Sequence, residues 1–392
     1  MPGPHRSPAT LGYPARPAQR STALTTSVPH WIQHPDELAQ RLQQRPARIG
    51  LDTEFIRERT YWPQLALVQM AVGEEILLID PLIPGMNDAL KPWLVAPDII
   101  KVMHSASEDL VTFKCTCGVL PRPLFDTQIA AALAGTGAGM GYQKLVSEIT
   151  GTLLAKGETR SDWMRRPLSE AQLEYAADDV RYLFAIHDAL DAKLGELGRR
   201  EWLAEDAERL LASVERDDGE RWPHLSLRSA QFIDAPAQLR LLRLLRWREQ
   251  TARQSDRPRS WILDNELAVT LARNPPADPA ALLRLFERFP KAPRKLATPL
   301  WEALTTPLAD EADAPLASNG GDDQKQTLKR LQEAVAERSR ELGLPDGVLA
   351  SRKNLESLLE RGTWPAGLGQ WRRRELEAAL TPLVPAIASA DR

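Results

Sequence analysis

Cysteine is scarce in this 392-residue chain, and long apolar runs are missing from it. The two cysteines, Cys115 and Cys117, are too few for a disulfide scaffold or a four-cysteine zinc site. No run of about 18 apolar residues occurs, which excludes a transmembrane helix. Residues 1–29 lack an apolar core of signal-peptide length. We therefore expect a reduced, cytoplasmic protein with no membrane partner.

The remaining composition is that of an ordinary folded protein. Hydrophobic residues make up 43% and charged residues 26%, which excludes a wholly disordered or collagen-like chain. At about 100–200 residues per domain, the length indicates two or three domains.

The net charge of −3 is unevenly distributed along the chain. Residues 1–234 contain 25 basic and 32 acidic residues, whereas residues 235–308 contain 13 basic and 7 acidic ones. Residues 309–324 contain five acidic residues and no basic one, and residues 325–392 contain 12 basic and 9 acidic ones. The pattern favours a cation-binding front part joined to modules that meet an anionic polymer, although small domains also differ in charge by chance.

Hydrophobic periodicity predicts an α/β domain followed by two all-α domains. Residues 1–29, with six prolines and no acidic residue, are predicted to be a disordered tail. Residues 30–234 begin with three strands and continue with strands alternating with helices, which predicts a mixed sheet with helices on its faces and a helical extension. Strand signals then end, and two helical sets are predicted at 235–308 and 325–392, with a flexible acidic linker at 309–324.

Two helix predictions bear on the positions of later residues. Asp36 is predicted to cap a short helix that ends near Leu42. A single helix is predicted from Ser169 to Leu194.

The first long strand ends in the sequence Leu51-Asp52-Thr53-Glu54-Phe55. Residues two apart in a strand point to the same face, so Asp52 and Glu54 project side by side. Two unpaired carboxylates repel unless a cation lies between them, and Mg²⁺ prefers such oxygen ligands. The pattern alone is weak, because exposed Asp-x-Glu pairs are common on edge strands.

Two later segments strengthen the case for a metal site. Asp109 follows a predicted strand and lies in the first turns of a helix. Tyr175 and Asp179 are four residues apart and therefore share one helical face, and the small residues between them allow close approach to the sheet. Four carboxylates and a tyrosine at one place form a two-metal site for phosphoryl hydrolysis.

At these residues the chain resembles the ribonuclease D family of DEDD exonucleases. The three exonuclease motifs correspond to Asp52–Phe55, Ser107–Leu110 and Tyr175–Asp179. Further segments similar to the family are Tyr61–Leu65, Phe125–Gln128 and Asp162–Leu168. The resemblance covers about residues 47–190, and residues 235–308 and 325–392 resemble two HRDC domains.

The resemblance implies a ribonuclease H-like fold and 3′→5′ hydrolysis of RNA, such as tRNA precursors and other structured 3′ ends, to nucleoside 5′-monophosphates. It further implies that two divalent ions, Mg²⁺ or Mn²⁺, are bound by four carboxylates: Asp52, Glu54, Asp109 and Asp179. Tyr175 marks the DEDDy subgroup, in which the tyrosine hydroxyl orients the attacking water. With a free pKa of about 10, tyrosine is protonated at neutral pH, so we expect positioning rather than strong base catalysis.

Four further residues are predicted to bind substrate. Phe55 is expected to stack on or wedge beside the terminal base, with ordinary core packing as the alternative. Thr53 is expected to meet the terminal ribose. Gln69 is a polar residue in an apolar strand, and its side chain is expected to face the site. His104 is expected near the 3′-terminal nucleotide, with a buried hydrogen-bonded histidine as the alternative.

The helical part has arginine-rich faces that could contact RNA phosphates or bases, or could simply be solvated. They comprise Arg240, Arg243, Arg246 and Arg248, and then Trp371 with Arg372–Arg374. RNA is the expected partner, and no stable protein partner is predicted. Two other functions remain open: a DNA 3′→5′ exonuclease of repair or proofreading type, because the motifs do not separate RNA from DNA, and a non-catalytic nucleic-acid-binding scaffold.

Overall fold

The computed structural model describes residues 28–43, 45–155, 157–158, 161–216, 219–317 and 322–384. The predicted disordered tail, residues 1–29, lies almost entirely outside the described residues, as do residues 385–392 of the second predicted helical domain. None of the described helices is long and apolar enough to cross a membrane.

A mixed sheet forms the centre of the first domain. Its strands in the described residues are β1 (His30–Ile32), β2 (Arg48–Ile56), β3 (Gln64–Val72), β4 (Glu75–Ile79), β5 (Ile100–Met103) and β6 (Leu124–Asp126). The strand order is β1-β4-β3-β2-β5-β6. β3 is antiparallel to both β2 and β4, and the other neighbouring pairs are parallel. β1 is a short strand that the sequence did not predict.

Helices cover both faces of this sheet, as the alternating pattern predicted. They are α1 (Pro35–Arg41), α2 (Met86–Val95), α3 (Ser107–Cys117), α4 (Thr127–Leu133), α5 (Tyr142–Thr150), α6 (Glu170–Arg181), α7 (Leu183–Leu197) and α8 (Arg200–Arg216). Helices α1, α2, α3 and α8 bury apolar residues on one face of the sheet, and α6 and α7 bury theirs on the other. The central strands are therefore apolar on both faces, and their few polar residues stand out.

Two of the helix predictions were wrong. α1 begins at Pro35 after His34, so Asp36 lies inside the first turn and does not cap the helix. The single helix predicted from Ser169 to Leu194 is interrupted at Tyr182. A residue of α5 causes this interruption, and its contacts are described with the site below.

The rest of the described chain is helical. The first helical module consists of α9 (Ala235–Ser255), α10 (Arg259–Ile262), α11 (Asn265–Arg273), α12 (Pro279–Phe286) and α13 (Ala297–Thr305). The second helical module consists of α14 (Asp322–Glu341), α15 (Arg352–Arg361) and α16 (Gln370–Leu380). The predicted fold class, a mixed α/β domain followed by all-α domains, is thus confirmed.

The first helical module has its own core, and this core begins before the predicted boundary at 235. Ala230 and Ile233 pack with the apolar residues of α9 and α11. Within the predicted acidic linker, Asp310 accepts a hydrogen bond from Arg246 Nη1 at 2.7 Å, and Glu311 accepts one from Arg243 Nε at 2.6 Å. These contacts hold this part of the acidic segment against α9.

The second helical module docks on α8 of the α/β domain. The Trp202 and Trp371 rings stack with their centroids 4.2 Å apart. The buried Asp206 accepts hydrogen bonds from Trp371 Nε1 at 3.2 Å and from Arg372 Nη2 at 2.8 Å. The apolar cluster of this module is continuous with that of the α/β domain, so the two share one core.

Candidate active site

Asp52 and Glu54 lie on β2, in the middle of the sheet. Asp52 pairs with Gln69 of β3, and a β-bulge between Glu54 and Phe55 shifts the register of the pairs that follow. β2, β5 and β6 run in the same direction, so their carboxyl ends meet at one edge of the sheet. The two carboxylates therefore project side by side at this edge, as their spacing predicts.

Asp109 reaches the same edge from the first turn of α3, which follows β5. Its side chain is buried, and the Thr53 hydroxyl donates a short hydrogen bond to its Oδ1 atom. Thr53 is itself buried. Binding of the ribose by Thr53 stays a prediction, and in this structure its hydroxyl positions a carboxylate.

Helix α6 brings Tyr175 and Asp179 to the edge. It begins with a capping box in which Ser169 and Gln172 exchange hydrogen bonds between side chain and backbone. Ala176 and Ala177 are fully buried, which allows α6 to pack closely on β2, β3 and β4. The Tyr175 hydroxyl is near enough to Asp179 to lower the pKa of that carboxyl, against the larger raising effect of burial.

A tyrosine that the sequence analysis missed ends α6 just after these residues. The Tyr142 hydroxyl donates to the backbone oxygen of Asp178 at 3.0 Å and accepts from the backbone N–H of Tyr182 at 3.2 Å. It thus replaces the bond that an uninterrupted helix would form between these two groups, which breaks the helix. No pattern in the sequence pairs Tyr142 with Tyr182, which is 40 residues away.

The four carboxylates have raised pKa values. Burial, and then the charges of Asp109, Asp179 and Glu54, raise the pKa of Asp52 well above its usual range. Burial, and then Asp179 and Asp109, raise the pKa of Glu54 to about 8. Burial is also the main reason that the pKa of Asp109 and of Asp179 is about 7. No described basic side chain is among the main causes of these shifts.

The tyrosine at the site is protonated at neutral pH. Burial, followed by the charge of Asp179, raises the pKa of Tyr175 above its usual value. Its hydroxyl can therefore donate one hydrogen bond to Asp179 and accept another from a water molecule.

The donor set fits a hard divalent cation. Carboxylate oxygens are the ligands that Mg²⁺ and Mn²⁺ prefer, and a cation would relieve the repulsion that raises the pKa values. In the described ranges, however, no three Asp, Glu, His or Cys side chains are close enough together to enclose an ion. The Thr53 hydroxyl holds Asp109, so ion binding must draw the ligands together.

The other predicted substrate-binding residues have different surroundings. Phe55 is partly exposed directly after Glu54 and could meet a terminal base. Gln69 is completely buried opposite Asp52, and its amide has no hydrogen-bond partner among the described residues. Direct substrate binding by Gln69 stays a prediction, and its burial favours support of the neighbouring carboxylate.

His104 corresponds to the alternative interpretation, a buried hydrogen-bonded histidine. Its Nδ1 atom is 2.9 Å from the hydroxyl of Thr127, and its ring makes an edge contact with Tyr142. Burial lowers the pKa of His104 despite the nearby Asp126, so the ring is neutral at neutral pH. Contact with the terminal nucleotide stays a prediction.

Two further residues support the site. Asp126 caps α4 by accepting from the backbone N–H groups of Gln128 and Ile129, and it also accepts from the N–H of Ala106 at 2.8 Å. It therefore fixes the turn before Asp109. An aspartate directly before a predicted helix is typical of a helix cap, so the sequence could have indicated this role. Gly157 lies against Tyr175, because a Cβ atom at 157 would lie 1.9 Å from the ring, and no sequence pattern indicated this contact.

The arginine row of α9 makes internal contacts. Arg240 donates to the backbone oxygen of Ala272, and Arg248 donates to that of Leu263. Arg243 and Arg246 pair with the acidic segment, as described above, and Arg372 of α16 pairs with Asp206. These arginines are bound within the fold rather than simply solvated, and contact of this face of α9 with RNA stays a prediction.

Fold and site together define a 3′–5′ exonuclease with an appended helical nucleic-acid-binding module. A family model described as 3′–5′ exonuclease matches residues 29–195, and one described as HRDC domain matches residues 238–303. A ribonuclease D from Xanthomonas oryzae is 76% identical over 92% of this chain and 99% of its own length. A ribonuclease D from Pseudomonas paraeruginosa is 37% identical over 91% of this chain and 98% of its own length. The chain belongs to the ribonuclease D family.

A solved structure agrees with this assignment. The crystal structure of Escherichia coli RNase D, described as an exoribonuclease involved in structured RNA processing, matches with a TM-score of 0.78 and 29% identity. The match covers 91% of this chain and 98% of that one. The predicted family and enzyme class are confirmed, and exonucleases of this family generally use divalent metal ions. A purely non-catalytic scaffold is therefore set aside.

Proposed function

We propose that the chain hydrolyses RNA from its 3′ end to nucleoside 5′-monophosphates. In this proposal two divalent ions, Mg²⁺ or Mn²⁺, bind to the four carboxylates: Asp52, Glu54, Asp109 and Asp179. The observation that carries it is the set of raised carboxylate pKa values at one edge of the sheet, with no described basic side chain among their main causes.

The chemistry follows from the residues at the site. Bound ions would lower the pKa of a coordinated water and offset the negative charge that develops on the phosphate. Tyr175 keeps its proton and positions the attacking water, next to Asp179. The water oxygen bonds to phosphorus and the bond to the 3′ oxygen breaks, so the released nucleotide carries the 5′-phosphate. In this proposal Phe55, a partly exposed residue next to Glu54, meets the terminal base.

RNA with a structured body and an accessible 3′ end, such as a tRNA precursor, is the substrate class that we propose. The Escherichia coli relative, which acts on structured RNA according to its description, supports this choice. We propose a cytoplasmic setting, which fits the absence of a disulfide at Cys115 and Cys117.

The test is a time course on 5′-labelled single-stranded RNA and DNA of equal sequence, with Mg²⁺, with Mn²⁺ and with a chelator. We expect a ladder that shortens from the 3′ end of RNA, requires metal and is weak on DNA. Equal or faster loss of DNA would instead identify a DNA exonuclease of repair or proofreading type. Shortening of RNA in the chelator would contradict the metal-dependent mechanism.

A further inference from the structure

The first helical module exposes a tryptophan that its fold does not use. Trp261 on α10 is 56% exposed, and its ring makes no aromatic or cation contact within the described part of the chain. The next two residues, Ile262 and Leu263, are only 2% and 1% exposed and belong to apolar clusters. The burial of α10 therefore depends on these two residues and leaves the indole to the solvent.

The packing of α10 does not account for an aromatic residue at 261. The buried contacts of this helix and the residue after it are made by Ile262 and Leu263, and more than half of Trp261 is exposed. Exposure of so large an apolar surface without a structural need points to a binding partner.

Trp261 lies close to the contact between the first helical module and the α/β domain. Backbone N–H groups of Tyr61 and Trp62, in the β2–β3 loop, donate to Asp256 Oδ1 at 3.0 Å each. Arg259, two residues before Trp261, donates to the Tyr61 hydroxyl at 3.0 Å. The tryptophan is thus next to the loop that follows the catalytic strand β2.

The same loop also contacts the active-site helix. Arg57 donates from Nη1 to Glu108 Oε2 at 3.1 Å, and Glu108 directly precedes Asp109. A strand of RNA that leaves the carboxylates along this loop therefore runs toward α10.

Positive charge accompanies the exposed ring. Arg59, in the β2–β3 loop, and Arg257, just before α10, are exposed and have no ion-pair partner in the described ranges. Glu249, by contrast, is held by Arg253 and Arg259 and does not cancel these charges. The exposed Glu58 is the acidic neighbour of Arg59.

We propose that Trp261 is a stacking platform for a nucleobase upstream of the RNA 3′ end, with Arg59 and Arg257 contacting the flanking phosphates. This proposal rests on the proposed function, because it presumes that RNA enters the carboxylate site. Single-stranded nucleic acid is bound by aromatic rings that accept any base and by cations that follow the backbone. Trp261 supplies an exposed indole, and the exposed, unpaired arginines are four residues before it in the sequence and in the β2–β3 loop that Arg259 contacts. Together they match both needs, and neither requires a particular base sequence.

The test measures steady-state hydrolysis of a single-stranded RNA 12-mer by the full chain with Mg²⁺. Base stacking is worth about 1–3 kcal/mol, so we expect Trp261→Ala to raise KM roughly tenfold. Trp261→Phe should retain most of the wild-type affinity, because a smaller ring can still stack. Arg257→Glu examines the same surface through its charge: it should raise KM at low salt, and the KM of the variant should then rise less steeply with salt than that of wild type. Phe232→Ala is the matched control, because Phe232 is 59% exposed and lies in the segment before α9, away from α10 in the sequence.

The outcomes separate this proposal from the proposed function. A KM within twofold of wild type for both Trp261→Ala and Arg257→Glu would overturn the platform. An equal rise for Phe232→Ala would also overturn it, because any exposed aromatic residue would then have the same effect. A wild-type chain that degrades no RNA would refute the proposed function itself.

Discussion

Repulsion among the active-site carboxylates should make the metal-free protein less stable at higher pH. Glu54 tests this most simply, because burial and the charges of Asp179 and Asp109 raise its pKa from 4.5 to about 8. The folded state then binds more protons than the unfolded state between these two values, so stability falls as the pH rises through this window. Glu54→Gln removes the titrating group, and we expect the variant to lose less stability than wild type between pH 5 and pH 8.

The pKa shift of Glu54 sets the size of the expected loss of folding free energy. A shift from 4.5 to about 8 corresponds to an upper limit of roughly 5 kcal/mol at pH 8. The side chain is partly exposed and its neighbours can retain protons in its place, so we expect about 2–3 kcal/mol. For a domain of this size 1 kcal/mol changes the melting temperature by about 2–4 °C, which gives a difference of roughly 5–10 °C.

The assay is thermal unfolding of the full chain in a chelator at pH 5 and pH 8. Glu108→Gln is the control, because Glu108 is exposed, pairs with Arg57 and precedes the active-site Asp109. Mg²⁺ should then raise the melting temperature at pH 8 more for wild type than for Glu54→Gln. Equal losses of melting temperature from pH 5 to pH 8 in wild type and Glu54→Gln would refute the account of repulsion.

Two other predictions concern packing. Asp206→Ala leaves Arg372 and the Trp371 indole without their acceptor. We therefore expect the free energy of unfolding, measured with denaturant, to fall by about 3–5 kcal/mol. A fall below about 1 kcal/mol would show that these bonds do not hold the second helical module. Gly157→Ala places a methyl group against the Tyr175 ring and should lower kcat on RNA while circular dichroism stays unchanged; wild-type kcat would show that this contact is not needed.

The short-range part of the site was predictable from the sequence. Asp52 and Glu54 are two apart on a strand, and Tyr175 and Asp179 are four apart on a helix, so local geometry alone places each pair on one face. The meeting of these pairs with Asp109 depends on the sheet order, in which β2 lies between β3 and β5. Local patterns do not encode that order, and the family resemblance implied a shared metal site without giving it.

The features that the sequence did not predict come from contacts between residues that are distant in the sequence. The end of α6 at Tyr182 depends on the Tyr142 hydroxyl, and helical periodicity gives no sign of it. The arginine row of α9 and the acidic segment after residue 309 were interpreted separately, as an RNA-binding face and as a linker. In the structure Arg243 and Arg246 bind that acidic segment, so the two opposite charge patterns neutralise each other.

Asp52→Asn is the most direct test of the assignment that the four carboxylates form the nuclease site. The measurement compares RNA hydrolysis and RNA binding by wild type and by this variant, with Mg²⁺ present and under identical conditions. The account predicts that hydrolysis is lost while the affinity for RNA stays within a few-fold of wild type, because the helical modules and the β2–β3 loop are unchanged. Hydrolysis at the wild-type rate would contradict the assignment of the active site.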